Sequence, residues 1–147
     1  MINWEDEKCM VSSFFSVREC LWLPTWGRMA TEADGLTDEI KANLVALCNK
    51  MDQVRAWFGQ SVNVHVTYRP LKYNQEIGGA LHSMHSVGSA MDFNIVSVDC
   101  DTARKMIMDS SMLVAWDMRM EDNPPGSHWV HLDCKEVPAG GHRYFIP

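Results

Sequence analysis

The sequence predicts an α+β fold, a small antiparallel sheet with helices packed on one side. Three observations carry that expectation. A long segment from Thr37 to Phe58 has helical periodicity, several short segments alternate apolar and polar residues, and two late apolar segments flank a proline- and glycine-bearing loop.

The first residues, up to about position 36, resist a periodic reading. "SFFSVRECLWLPTWGRM" is rich in aromatics and broken by Pro24 and Gly27, which predicts a short helix and an irregular layer over the core. From Thr37 the apolar positions Ile40, Leu44, Leu47, Met51, Val54 and Phe58 recur in steps of four and three, the stripe of an amphipathic helix. Thr37 suits its N-cap, Asp38 and Glu39 suit the positive end of the helix dipole, and Gly59 suits its stop.

"SVNVHVTY" then alternates Val62, Val64 and Val66 against Asn63, His65 and Thr67, the pattern of a half-buried strand ending near Pro70. "LKYNQEIGGALHS" reads as a loop with at most a short helical turn. "AMDFNIV" reads as a second strand, and "DCDTARKMIMDSS" as a second helix started by Asp99 or Asp101. "MLVAWDMRM" and "HWVHLDC" read as two further strands, an antiparallel pair joined by "EDNPPGS".

A chain of 147 residues is expected to form a single domain, 1–147, and a monomer. A formal charge of -6 gives no basic face for phosphates, which argues against nucleic acid as a partner. No apolar run is long enough for membrane insertion. The acidic start "MINWEDEKCM" lacks the features of a secretory signal, so synthesis in the cytoplasm is expected. Cys9, Cys20, Cys48, Cys100 and Cys134 are widely spaced without a CxxC pair, which points to free thiols rather than a disulfide framework or a four-cysteine zinc site.

The densest chemistry lies in "LHSMHSVGSAMDFNI", residues 81–95, where His85 and Asp92 flank Gly88. A turn at the glycine can bring both side chains toward one point, and His131 sits on the later strand "HWVHLDC". Two imidazoles and one carboxylate match the usual three-ligand set of a catalytic zinc site. A buried histidine bonded to a carboxylate is the commoner meaning of such spacing, and spacing alone leaves both readings open.

Over a wider span, "VTYRPLKYNQEIGGALHSMHSVGSAMDFNI" and "HWVHLDC" carry Tyr68, Arg69, Tyr73, Asn74, Gly78, Gly79, Ala80, Ser83, His85, Gly88, Ala90 and Asp92, then Trp129, Val130, His131 and Asp133. In that order these residues resemble the zinc D-alanyl-D-alanine carboxypeptidases and phage L-alanyl-D-glutamate endolysin peptidases of the hedgehog/DD-peptidase fold. The resemblance covers roughly residues 12 to 134, with Pro70 one position earlier than the family's proline.

The resemblance implies that His85, Asp92 and His131 bind zinc, and that Arg69 pairs with a substrate carboxylate, for which its planar fork is suited. A surface ion pair is the plainer role for Arg69. Ser83 either hydrogen-bonds substrate or a ligand, or only stabilises its turn. Asp133 shares the face of His131 and either orients that ligand or is a surface carboxylate. Trp116, Trp129 and Tyr68 either shape a cleft or fill the core, His82 either lines the cleft as an accessory polar group or is a surface loop residue, and His65 and His142 are expected to be a structural or exposed strand residue and a tail residue.

The implied activity is metal-assisted hydrolysis of peptide bonds in peptidoglycan stem peptides by a phage or prophage endolysin, acting at the cell wall or periplasm after release. Relatives place an acid three residues before the last histidine ligand, and this chain has His128 there. His128 is therefore the expected acid–base residue, provided the strand bulges or begins at that point. Asp122 and Glu121 in the preceding loop are its alternatives. The competing functions are a zinc-binding module of the same fold without catalysis, for a cell-wall or protein partner, and a metal-free structural protein.

Overall fold

A computed structural model describes residues 1–146. The helices are α1 (Val17–Leu21), α2 (Asp38–Phe58), α3 (Leu71–Glu76), α4 (Cys100–Met108) and α5 (Met112–Trp116). The strands are β1 (Trp22–Leu23), β2 (Arg28–Met29), β3 (Val62–Val66), β4 (Ala90–Ile95), β5 (Arg119–Glu121), β6 (Val130–Asp133) and β7 (Tyr144–Phe145). β1 and β2 form a small antiparallel hairpin, and the main sheet has the order β3-β4-β6-β5-β7. Its first four strands pair antiparallel, while β7 joins the edge of β5 in parallel, so the α+β expectation holds with a mixed edge.

The period of two divides the main sheet into a dry face and a polar one. Met91, Phe93 and Ile95 of β4, Val130 and Leu132 of β6 and Met120 of β5 enter one hydrophobic core with Leu44, Leu47, Met51 and Val54 of α2 and Ile107 of α4. The intervening residues, Asp92 and Asn94 of β4, His131 and Asp133 of β6, and Arg119 and Glu121 of β5, take the other face. Cys20 of α1 and Cys48 of α2 meet inside the core with their sulfurs 3.3 Å apart, and all five cysteines are free.

Most boundaries follow the local chemistry. Thr37 caps α2 by accepting the Ile40 amide, and Gly59 ends it at φ 66°. Asp99, one of the two residues expected to start α4, accepts the Thr102 amide as its N-cap. The aromatic N-terminal region is the short α1, the β1–β2 hairpin and a single-turn helix at Glu32–Asp34.

One expected strand is corrected. The first half of "MLVAWDMRM" is the helix α5, and only Arg119–Glu121 is strand. Leu113 and Trp116, three apart, are buried while Val114 is 67% exposed. That is helical spacing, and a strand would have put Val114 and Trp116 on one face. Asp117 then turns the chain out of the helix at φ 51°.

Gly88 is the tightest point of the backbone near the polar face. It closes the single-turn helix Met84–Val87 at φ 75°, and an added Cβ would meet Ile40 Cγ2 and the Ile40 carbonyl at 3.0 Å. Both the left-handed conformation and the packing against α2 require glycine there. Gly88→Ala is expected to lower stability by about 2–4 kcal/mol, from left-handed strain plus overpacking. Gly27→Ala, where the same φ faces open space, should cost about 1 kcal/mol. Urea midpoints of the two variants check this, and equal losses would contradict the packing argument.

Candidate metal centre

The polar face of the sheet opens into a cleft of about 420 Å³ lined by Arg69, Ser83, His85, Asp92, Arg119, Glu121, Trp129, His131 and Phe145, among others. Antiparallel register places Asp92 of β4 directly opposite His131 of β6. His85 arrives from the Met84–Val87 turn, which the Ser83 hydroxyl caps by accepting the His85 amide at 3.2 Å. The ligand atoms offered by His85, Asp92 and His131 all lie within 4.8 Å of one another.

The hydrogen bonds around each ring define which nitrogen is available. Nδ1 of His85 lies 2.7 Å from the carbonyl oxygen of Thr67, which can only accept, so Nδ1 carries the hydrogen. Nε2 is therefore a lone pair, fully buried and without a hydrogen-bond partner, 3.1 Å from Asp92 Oδ1. Burial pushes the His85 pKa down despite Asp92, which keeps the ring neutral, as a ligand must be. Such an orphaned buried acceptor is costly unless a cation completes it.

His131 is arranged in the opposite sense. Its Nε2 donates to Asp133 Oδ2 at 3.0 Å, and its Nδ1 faces Asp92 Oδ1 at 2.8 Å. Burial opposes the charged ring, yet the hydrogen bonds to Asp133 and Asp92 raise its pKa to about 9. Burial likewise opposes ionisation of Asp92, but the neighbouring His85 and His131 hold its carboxyl well below the usual range. Asp133 is lowered to about 2, burial being outweighed by its bonds to His131 and Arg119.

These residues fit a metal ion. The lone pair of His85 Nε2, the Nδ1 of His131 and a carboxylate oxygen of Asp92 converge, with the oxygen 3.1 and 2.8 Å from the two nitrogens. The ligand edge of a tetrahedron with bonds near 2.0 Å is about 3.3 Å. Each imidazole also donates its other N–H to a fixed oxygen, the arrangement that orients histidine ligands.

Other sequence-based expectations separate here. Arg69 lines the cleft, and among the described residues it has no salt-bridge partner, while its Nε is buried without a hydrogen bond. Burial lowers its pKa, the mark of a desolvated cation. His128 is not brought to the site. It precedes β6 and lines a separate hollow with Asn94, Val98, Asp99, Cys100 and Asp101, because the strand begins only at Val130. His128 thus stands outside the cleft that holds His85, Asp92 and His131.

Glu121 enters instead, for a reason alternation supplies: on β5 it shares the cleft face with Arg119. Its Oε2 lies 3.7 Å from His131 Nδ1, while Oε1 accepts from Asn123 Nδ2 at 2.9 Å. Trp129 lines the cleft, whereas Trp116 and Tyr68 are core, and His65 is tied to Asn94. Arg119 and Phe145 were not singled out in the sequence. The period-two pairing of Arg119 with Glu121 was a usable signal, but nothing local pointed to Phe145.

An α+β fold whose mixed sheet presents a His–Asp–His set beside an arginine with no salt-bridge partner among the described residues has the features of a metal-dependent hydrolase site. The chain belongs to the Peptidase M15 family, whose model matches residues 25–133. It is therefore a peptidase, and its family is metal-dependent. No curated protein matches the chain, and neither does any solved structure.

Metal affinity should depend on pH in a definite sense. In protein stripped by a chelator, His131 titrates at about 9, so at pH 7 a metal ion must displace a proton from Nδ1. Affinity should rise roughly tenfold per pH unit from 7 to 9 and then level off, with about one proton released at pH 7. Titration calorimetry in buffers of differing ionisation enthalpy measures this, and a pH-independent affinity would contradict the tautomers assigned.

Proposed function

We propose that this M15 peptidase hydrolyses peptide bonds in the stem peptides of peptidoglycan with zinc as its metal, as a D-alanyl-D-alanine carboxypeptidase or L-alanyl-D-glutamate endopeptidase of a phage or prophage endolysin. The observation that carries the reading is Arg69, a partly desolvated guanidinium that has no salt-bridge partner among the described residues, in the same cleft as His85, Asp92 and His131. Stem peptides are short and acidic, and a planar guanidinium pairs bidentately with a carboxylate.

His85 through Nε2, Asp92 through Oδ1 and His131 through Nδ1 would hold the ion. When bound, zinc supplies Lewis-acid polarisation of the scissile carbonyl and eases deprotonation of water near neutral pH. Arg69 anchors the substrate carboxylate and so fixes which carbonyl enters the cleft. Glu121 Oε2, 3.7 Å from His131 Nδ1, accepts the proton of the attacking water and passes it to the leaving amine. Asn123 holds the other oxygen and keeps the carboxylate turned into the cleft. The Ser83 hydroxyl, already accepting the His85 amide, retains a proton to donate toward substrate.

Incubating zinc-loaded protein with purified peptidoglycan and identifying released fragments by mass spectrometry tests the reading and names the bond. Glu121→Gln should lower kcat by about 10²–10⁴ while retaining one zinc. If it loses the zinc instead, Glu121 is a ligand and the base assignment falls. Arg69→Ala should raise KM about 10–100-fold, the loss of a charge-assisted pair. His128→Ala should stay within about twofold of wild type, since proton transfer needs hydrogen-bond reach. A wild type that binds zinc and releases nothing would replace the hydrolase by a binding module.

A further inference from the structure

The family match ends at residue 133, but the cleft continues beyond it, because β7 supplies Phe145 to its wall. β7 is pinned to β5 by two short backbone bonds, Met120 N–H to the Arg143 carbonyl and Asp122 N–H to the Phe145 carbonyl, both 2.7 Å. Phe145 then touches two groups of the site. Its ring stands edge-on to His131 at 5.7 Å between centroids, and the Arg119 guanidinium carbon lies 4.0 Å from its centre.

Arg119 grips Asp133 with both prongs, Nε to Oδ1 at 2.8 Å and Nη2 to Oδ2 at 2.7 Å. Asp133 is 1% exposed, accepts the Lys135 amide at 3.1 Å, and uses Oδ2 to receive the Nε2–H of His131. Its carboxylate plane is thus fixed from several directions. Without Arg119, the buried Asp133 would keep only the His131 ring and the Lys135 amide as partners, close to the further carboxylates of Asp92 and Glu121. Rotation away from His131 would relieve that cost.

We propose that Arg119 and Phe145 are positioning residues: they lock Asp133, and through it the His131 ring, in the orientation that turns Nδ1 toward Asp92. The metal set is therefore held in part by a strand that lies outside the family-matched segment. Phe145 contributes by covering the guanidinium with an aromatic face, which holds the fork in place and keeps water from competing for Asp133. The inference rests on the reading of His85, Asp92 and His131 as metal ligands.

The test uses the full chain and two readouts that need no substrate: zinc affinity by competition with a chromophoric chelator, and the visible absorption of the Co²⁺-loaded protein. Arg119→Met is expected to weaken zinc about 10–100-fold, the usual effect of removing a group that orients a ligand, and to alter the cobalt band. Arg119→Lys keeps the charge but not the fork and should recover only part of the loss. Phe145→Leu should weaken zinc about threefold to tenfold. Circular dichroism and thermal melts of the metal-free variants show whether each is folded. If Arg119→Met does not fold, Arg119→Lys and Phe145→Leu still decide. Variants that bind zinc within twofold of wild type with an unchanged cobalt spectrum overturn the proposal. A wild type that binds no zinc overturns the metal reading itself, and the positioning role with it.

Discussion

The pairing of Asp92 with His131 across β4 and β6 is the constraint on which the rest of the site depends. A shift of one residue in that register would send His131 into the core and Leu132 into the cleft. The apolar partners that prevent the slip are Met91, Phe93 and Ile95 on β4, with Val130 and Leu132 on β6, all buried against the helices. Hydrophobic burial on one face thus sets the chemistry of the other. His85 is then delivered by a turn whose two ends are set by the Ser83 cap and by Gly88 pressed on α2.

Electrostatically the cleft floor is a chain of alternating charge. Arg119 neutralises Asp133, Asp133 holds His131, and His131 faces Asp92. Each buried carboxylate has a partner, as burial demands. Among the buried groups left without hydrogen-bond partners in the described residues, Nε2 of His85 and Nε of Arg69 belong to this cleft's ionisable side chains, one needing a Lewis acid and the other an anion. These two unmet demands are the ones that the proposed metal-assisted hydrolysis of an acidic peptide would satisfy.

Where one physical cue dominated, the residues themselves were sufficient. The stripe from Ile40 to Phe58, the Thr37 cap and the Gly59 stop describe α2 closely, and the alternations Val62–Val66 and Ala90–Ile95 describe two strands of the sheet. That His85, Asp92 and His131 converge was legible from Gly88 between the first two and from His131 in mid-strand, while their reading as ligands came from the resemblance. Met112–Trp116 misled because a five-residue apolar run has no clear period, and helix emerged from the tertiary burial of Leu113 and Trp116. The placement of His128 outside the cleft was not legible, because sequence distance from His131 says nothing about where β6 begins. Glu121 was a candidate that the period of two could have placed beside Arg119, whereas Phe145 reaches the site through strand pairing, a long-range interaction that no local pattern announces.

The most direct test of the metal centre is a crystal structure of the zinc-soaked protein with anomalous data collected at the zinc edge. A single strong peak about 2.0–2.2 Å from His85 Nε2, Asp92 Oδ1 and His131 Nδ1 is the predicted result. A peak on the Nε2 side of His131, or no peak among these three residues, would contradict it.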